Sequence, residues 1–406
     1  MKKGIIKTTV IALALTTLLF SCEDEPDVKT LKTGEELTGE ITEDLTLEKD
    51  GTYYLSGGCH VLDGATLTIQ EGVNIIAKDD DIVDYILIEK GGKIMATGTA
   101  KNPIIMTSEL KEAGAWGGLH VCGNAPINVT GTTSLSEIGD APYGGSNPAD
   151  NSGTMRYIRI EYAGYAFSEE KEANGFTFYG VGNGTTVEYC QAYRGSDDGF
   201  EFFGGTVNVK YVISTDNSDD SFDWTEGWTG KGQFMVAYQT DAATLGYDCD
   251  CLMECDNNAK NNELTPISFP TLANVTLIGN NSTTTKRGIR LRAGTYVKLY
   301  NALVTGKPQC LTTETIFTEN SLVSGTSVLD FVHLSNTVTS KEGIYSESLF
   351  TSNTNNAINQ SLTFTGKYIG IVDGGANMSA VDPFFENAPY KGAVDPANNW
   401  TSGWAK

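Results

Sequence analysis

Two acidic segments of this chain repeat one another at a spacing of 22 residues. Residues 197–202 read Asp-Asp-Gly-Phe-Glu-Phe, and residues 219–224 read Asp-Asp-Ser-Phe-Asp-Trp. If the copies stack, Glu201 lies over Asp223 at about 5 Å, where two carboxylates repel by about 1 kcal/mol in water and by more in a groove. A bound cation removes that repulsion, and Ca²⁺ prefers oxygen ligands of this kind. The predicted metal ligands are Asp198, Asp220, Glu201 and Asp223.

Other copies of the segment extend this row of outward side chains. Residues 118–123 and 175–180 align with the acidic copies, so each adds one side chain to the row. Trp228 lies in a glycine-flanked turn, where an exposed indole is a platform for a sugar ring and a buried one packs under a loop. The predicted row is His120, Thr177, Glu201, Asp223, Glu254 and Arg290. The predicted ligand-binding residues are His120, Glu201, Asp223, Trp228, Glu254 and Arg290.

The same row offers groups for catalysis. Glu201 and Asp223 form a carboxylate pair of the kind that a glycosidase needs, and Arg290 or His120 beside a cation are candidates for a lyase. No motif fixes these roles, and no histidine lies in a recognisable nucleophile triad. The sequence lacks phosphate-binding and dinucleotide glycine motifs, so we expect no nucleotide or organic cofactor. An acidic face in contact with solvent is the alternative interpretation of the whole row.

The repeat also predicts the elements that position these residues. Phe200 and Phe202 alternate with Glu201, which is the period of a β-strand, and Gly, Asn or Asp ends each strand. Self-similarity at a fixed period of this size is the signature of a solenoid. We therefore predict an all-β, single-stranded parallel β-helix with coils of about 22 residues, in which Phe176, Phe200 and Phe222 stack inward.

The N-terminal residues predict export and lipidation. Basic residues precede an apolar run, and residues 19–22 read Leu-Phe-Ser-Cys, which resembles a bacterial lipobox. We predict a lipoprotein signal peptide over residues 1–21 and a lipid on Cys22 that anchors the protein in the outer membrane. An ordinary signal peptide and a short membrane anchor are the alternatives. Residues 22–44 are predicted to be a flexible acidic tether, whose acid run resembles the surface-export signal of Bacteroidetes lipoproteins.

The rest of the chain predicts one long domain. The β-helix is expected over residues 45–390, with a projecting loop at 124–152 and a C-terminal cap segment at 391–406. The 28 Lys and Arg against 51 Asp and Glu give a net charge of -23, which should repel nucleic acids. The cysteines at 249, 251 and 255 lack the paired spacing of a zinc site, so buried thiols or loop disulfides are expected.

Several motifs carry a family resemblance. They are Trp116-Gly-Gly-Leu, Asn124-Ala-Pro-Ile-Asn, Asp198-Gly-Phe-Glu-Phe-Phe-Gly-Gly, Asp220-Ser-Phe-Asp-Trp-Thr-Glu-Gly-Trp and Trp400-Thr-Ser-Gly-Trp. Together they resemble a family of Gram-negative, largely Bacteroidetes, envelope lipoproteins, from about residue 45 to the end. The resemblance implies a right-handed parallel β-helix of the pectate-lyase-like kind. It implies no activity, because that family has no settled biochemical role.

Two functions remain open on this evidence. The first is a cell-surface lipoprotein that binds a glycan or other nutrient through a β-helix face, with Ca²⁺ and beside an outer-membrane transporter. It rests on a lipid anchor and a solenoid face without an identifiable catalytic set. The alternative is a polysaccharide lyase or glycoside hydrolase that uses Glu201 and Asp223.

Overall fold

The chain folds into coils of parallel strands around one core. The computed structural model describes residue 1 and residues 29–168 and 171–406, in which 24 strands join into one sheet. Successive coils pair in parallel, as in the predicted right-handed parallel β-helix. Residues 2–28, which include Cys22 and nearly all of the predicted signal peptide, lie outside the described residues. None of the described helices is long and apolar enough to cross a membrane.

The first coils begin earlier than predicted. Strands β1 and β2 pair with β3 and β4 and bury Leu37 and Ile41, which corrects the predicted tether over residues 29–44. The reason is that alternating apolar residues there can cover the open end of the core. The strands are β1 (Lys29–Leu31), β2 (Glu36–Ile41), β3 (Leu45–Leu47), β4 (Thr52–Val61), β5 (Thr66–Ile69), β6 (Asn74–Ala77), β7 (Tyr85–Ile88), β8 (Lys93–Thr97) and β9 (Ile104–Ser108).

The central coils carry two projecting hairpins, β11–β12 and β14–β15. The first belongs to the predicted loop over residues 124–152. The strands are β10 (Leu119–Cys122), β11 (Ser134–Leu135), β12 (Pro142–Tyr143), β13 (Gly153–Glu161), β14 (Ala166–Ser168), β15 (Lys171–Glu172), β16 (Phe176–Tyr179), β17 (Thr186–Tyr193), β18 (Phe200–Phe203), β19 (Asn208–Thr215), β20 (Phe222–Thr225) and β21 (Lys231–Tyr238).

The C-terminal third continues the coils and adds three short α-helices. The last strand in the parallel sheet is β28, so the β-helix proper ends before the predicted residue 390. The elements are α1 (Ala242–Leu245), β22 (Met253–Cys255), β23 (Thr271–Ile278), β24 (Arg287–Leu291), β25 (Lys298–Thr305), β26 (Gln309–Thr313), α2 (Ile316–Ser324), β27 (Val328–Leu334), β28 (Thr337–Ser340), α3 (Glu347–Ser352), β29 (Gly370–Asp373), a 3₁₀ turn (Met378–Ala380) and β30 (Tyr390–Val394).

Stacked aromatic rings form the middle of the core, as the sequence repeat predicted. The rings of Phe176 and Phe200 are 4.8 Å apart, and those of Phe200 and Phe222 are 5.5 Å apart. All three side chains and Trp224 are fully buried. The seven described cysteines are free and buried, in agreement with the predicted buried thiols. The same strand register also aligns the outward-facing residues that alternate with these rings.

Each long strand of the central and C-terminal coils bends at one residue. Tyr157, Tyr189, Tyr211 and Phe234 have φ between +52° and +59°, and they stack at 4.3, 4.4 and 4.8 Å. An L residue with positive φ is uncommon, and here it bends the strand so that its two halves lie in different faces of the β-helix. We call β13, β17, β19, β21, β23, β25 and β27 the kinked strands.

The C-terminal segment lies along the side of the β-helix. Trp404 packs edge to face on Tyr157 at 5.9 Å, and its carbonyl accepts a 2.6 Å hydrogen bond from Arg159. Asn274 donates to the carbonyl of Tyr390 at 2.7 Å. The predicted cap over residues 391–406 is therefore corrected to a lateral belt, because the outward rings of the kinked strands offer apolar surface for its tryptophans.

Candidate functional site

The predicted row of outward side chains is present in the described structure. Its residues lie on strands β10, β16, β18, β20, β22 and β24, which pair with β7, β26 and β28 to form what we call the site sheet. Strand register brings each residue next to its neighbour on the following coil, about 4.8 Å away. The row runs through His120, Thr177, Glu201, Asp223, Glu254 and Arg290.

A second row lies at the turns that precede these strands. Asn174 Oδ1 accepts a hydrogen bond from the backbone N–H of Asp198 at 3.2 Å, and Asp198 Oδ1 accepts one from Asp220 at 2.9 Å. Asp220 Oδ1 in turn accepts from the N–H of Cys251 at 2.7 Å. The same contact thus repeats over three steps. Each turn aspartate uses one oxygen to join coils, and its other oxygen receives no hydrogen bond from the described residues.

An acidic pocket of about 290 Å³ lies where these two rows meet. The loop over residues 124–152 contributes Glu137 to its wall, and the β14–β15 hairpin contributes Glu172. Neither glutamate was predicted, because their positions depend on how the two projections fold. The lining residues are Glu137, Glu172, Asn174, Asp197, Asp198, Glu201, Asp219, Asp220, Asp223, Asp250, Glu254 and Arg290.

The pocket is electrostatically strained. Burial raises the pKa of Asp197 to about 8 and that of Glu137 to about 7, with further repulsion from neighbouring carboxylates. A carboxyl group that is cut off from water and faces others of its charge favours its neutral form. Burial first, and neighbouring carboxylates second, raise the pKa well above the ordinary value for Asp198, Glu201, Asp220 and Asp223.

The two ends of the row differ in how their charge is balanced. Glu254 binds Arg290 through Oε2 and Arg292 through Oε1, both at 2.7 Å, and Arg290 also binds Glu314 at 3.1 Å. Four other carboxylates, taken from this row and from the row at the turns, form no ion pair with any lysine or arginine of the described residues. Those four are Asp198, Glu201, Asp220 and Asp223.

A comparison with protein families agrees with this architecture. A family model described as a pectate-lyase like beta helix domain matches residues 39–405. The chain belongs to this family. No curated protein and no solved structure matches the chain. Membership of the pectate-lyase-like family accounts for the β-helix, and the membership assigns no ligand or reaction to its acidic pocket.

The donor set of this β-helix domain fits a hard divalent cation. One oxygen each from Asp198, Glu201 and Asp223 lie within 4.8 Å of one another. Asp220, Asp223 and Glu254 form a second such group. Oδ1 of Asp223 is buried and has no hydrogen-bond partner. Converging carboxylate oxygens are the ligands that Ca²⁺ prefers, and a soft metal would favour sulfur or nitrogen.

Two predicted ligand-binding residues are buried away from the pocket, and a third lines the pocket but already has partners. His120 lies in the row but is fully buried, stacks against Tyr179 at 6.2 Å, and has its pKa lowered by burial to about 4. Trp228 is also fully buried, with its ring 4.1 Å from that of Phe202. Arg290 is held by two glutamates, as described above. His120 is covered by the loop over residues 124–152, whereas Trp228 packs into the core beside Phe202 and Trp224, which is the buried alternative for this indole.

A wider groove of about 670 Å³ follows the same face of the β-helix. Phe203 and Thr225, which line it, lie two residues beyond Glu201 and Asp223 and therefore point to the same side. Its other wall comes from residues 258–264 and supplies amide, ammonium and apolar groups. The sequence signal for this groove was the insertion that follows residue 256, which interrupts the repeat.

Proposed function

We propose that this protein is a cell-surface lipoprotein that binds a glycan or other nutrient on its site sheet, with a divalent cation, Ca²⁺, in the acidic pocket. One observation carries the proposal. Four carboxylates, of which Asp198 and Asp220 are buried and Glu201 and Asp223 half-buried, lie together without an ion pair to any lysine or arginine of the described residues, whereas Glu254 in the same row has two arginines. Burying unpaired charges costs several kcal/mol per ion, and a bound cation offsets that cost.

A cation at this position also provides a means of holding a ligand. Each group of three residues offers one oxygen per residue within 4.8 Å of the others. Ca²⁺ takes six to eight oxygens, so the pocket leaves coordination positions for water or for oxygens of the ligand. A sugar carboxylate is a strong candidate, because the pocket itself would repel an anion in the absence of the cation. The adjoining groove has room and hydrogen-bonding groups for further sugar units.

The membrane location rests on the N-terminal sequence alone. A lipid on Cys22 would hold the β-helix at the outer membrane, where a neighbouring transporter can import what the domain captures. Metabolic labelling with a fatty acid tests the anchor, and Cys22→Ala should abolish the label. External protease should then degrade the labelled protein on intact cells if the protein is on the surface.

Affinity electrophoresis tests glycan binding. The protein would migrate through gels that contain polygalacturonate, alginate or neutral dextran, each with Ca²⁺ or with EDTA. We expect an acidic polysaccharide to retard the protein in Ca²⁺ only, and Asp223→Asn to remove the retardation. Glu48→Gln, at an exposed acid on the N-terminal coils, is the matched control for loss of one charge. Equal migration in all gels would refute glycan binding by this pocket.

A second candidate is a polysaccharide lyase or glycoside hydrolase. It is supported by the pectate-lyase-like family and by one oxygen each of Glu201 and Asp223 that lie within 4.8 Å, near the carboxylate separation of retaining glycosidases. The same polysaccharides would be assayed for new reducing ends and for the ultraviolet absorbance of unsaturated products. If these products form and their formation requires both Glu201 and Asp223, the protein is an enzyme and the binding-only function is wrong.

A further inference from the structure

The acidic pocket is a repeated structure with four equivalent positions. Each position consists of a turn residue, the row residue of the same coil and the row residue of the next coil. Strand register and the repeated turn contact place these groups in the same relative arrangement. In chain order they are Asn174–Thr177–Glu201, Asp198–Glu201–Asp223, Asp220–Asp223–Glu254 and Cys251–Glu254–Arg290.

The two outer positions contain their own hydrogen-bond donors. At the first, Asn174 Nδ2 donates to Glu201 Oε2 at 2.6 Å and to Thr177 Oγ1 at 3.2 Å. At the last, the Arg290 guanidinium donates to Glu254 Oε2 at 2.7 Å. In each case a side chain of the protein supplies the positive or partly positive group that a carboxylate needs. The equivalent point of the two inner positions should therefore also accept a donor or a cation.

The two inner positions are lined by carboxylates alone. Their ligand oxygens lie within 4.8 Å of one another in each group, and Asp223 belongs to both groups. Oδ1 of Asp223 is buried without a hydrogen-bond partner in the described structure. An oxygen in that state is costly unless an external group binds it. This orphaned oxygen, together with the filled outer positions, distinguishes the pocket from an ordinary acidic surface.

We infer that the pocket binds two divalent cations in consecutive coils, bridged by the carboxylate of Asp223. The inference deepens the proposed function and rests on it. The charge of the pocket allows two cations, because ten carboxylates and one arginine of the described residues line it. Consecutive coils are about 4.8 Å apart, which is longer than the roughly 3.5–4 Å between the metals of two-metal sites, so the two cations would lie closer together than the strands that hold them.

A pair of cations implies a particular class of ligand. Two adjacent positive centres would hold two oxygen groups of one anionic ligand at a fixed spacing. A polyuronate chain, which carries a carboxylate on every sugar, satisfies this requirement better than a neutral glycan. The row runs along the axis of the β-helix, so the bound polysaccharide would lie along that axis.

Equilibrium dialysis against Ca²⁺ tests the inference on the full chain purified in detergent. We expect two Ca²⁺ per protein for the wild type, one for Asp198→Asn, one for Asp220→Asn, and none for Asp223→Asn. The asparagine amide keeps an oxygen that can accept the interstrand N–H, so these variants should fold. Melting curves in EDTA would confirm this, and Glu48→Gln should keep both ions.

The outcomes separate the two proposals. A wild-type value of one would overturn the bridged pair and leave the cation-dependent function in place. A value of zero at millimolar Ca²⁺ would overturn both. A value of two that Asp223→Asn reduces only to one would show independent sites and refute the bridge.

Discussion

Replacing Asp223 by asparagine should stabilise the protein when no divalent cation is present. Asp223 faces carboxylates on both neighbouring coils, and its Oδ1 has no hydrogen-bond partner among the described residues. The substitution removes one charge from the pocket and keeps the shape of the side chain. A mutation at a predicted ligand is normally expected to do nothing or to destabilise, so the direction of the effect is informative.

The size of the effect follows from the geometry. Two charges about 4.8 Å apart repel by roughly 3 kcal/mol at an effective dielectric constant of about 20. The wild-type protein can also avoid the repulsion by keeping Asp223 protonated. Keeping a carboxyl of ordinary pKa 3.8 neutral at pH 8 costs about 6 kcal/mol, at about 1.4 kcal/mol per pH unit, and this cost is the upper limit of the stabilisation. With an unfolding entropy of about 2.1 cal/mol/K per residue over 406 residues, this range raises Tm by about 4 to 7 °C.

Differential scanning calorimetry at pH 8 in EDTA measures the effect. The difference between the variant and the wild type should shrink at pH 5, where the wild-type carboxyls hold their protons. It should reverse in excess Ca²⁺, because ligand binding stabilises only the protein that binds. Glu48→Gln controls for a change in net charge. A lower Tm for the variant at pH 8 in EDTA would refute the argument that the pocket holds uncompensated charge.

Three further predictions concern the same protein. In EDTA the wild-type Tm should fall as pH rises from about 4 to 8. The folded state raises the pKa of Glu137 to about 7 and that of Asp197 to about 8, so it loses stability as these carboxyls lose their protons. A flat profile of Tm against pH by scanning fluorimetry would contradict this. Arg290→Gln should lower the free energy of unfolding in urea by about 3 kcal/mol, because it leaves Glu254 with one arginine in a buried network, and unchanged stability would refute that role. Trp404→Ala should cost about 3 kcal/mol in the same assay without changing Ca²⁺ binding, and an altered stoichiometry would show that the belt supports the pocket.

The sequence repeat was sufficient to predict the fold and the order of the row. In a solenoid, a fixed spacing in sequence becomes a fixed spacing in space, because each coil pairs in register with the one before it. This is why Glu201 and Asp223, and the stacked rings of Phe200 and Phe222, were paired correctly. Insertions did not disturb the assignment of Glu254, since they project from turns and leave the strands in register.

What only the tertiary structure decided is which of these residues meet solvent and which have partners. His120 is outward in register yet buried, because the loop over residues 124–152 folds back over the sheet. The belt contact between Arg159 and Trp404 spans 245 residues, a distance over which no repeat carries information. Register is a local property of neighbouring coils and can be read from the spacing. Burial and charge compensation depend on segments that return from far along the chain, and only the folded molecule brings them together.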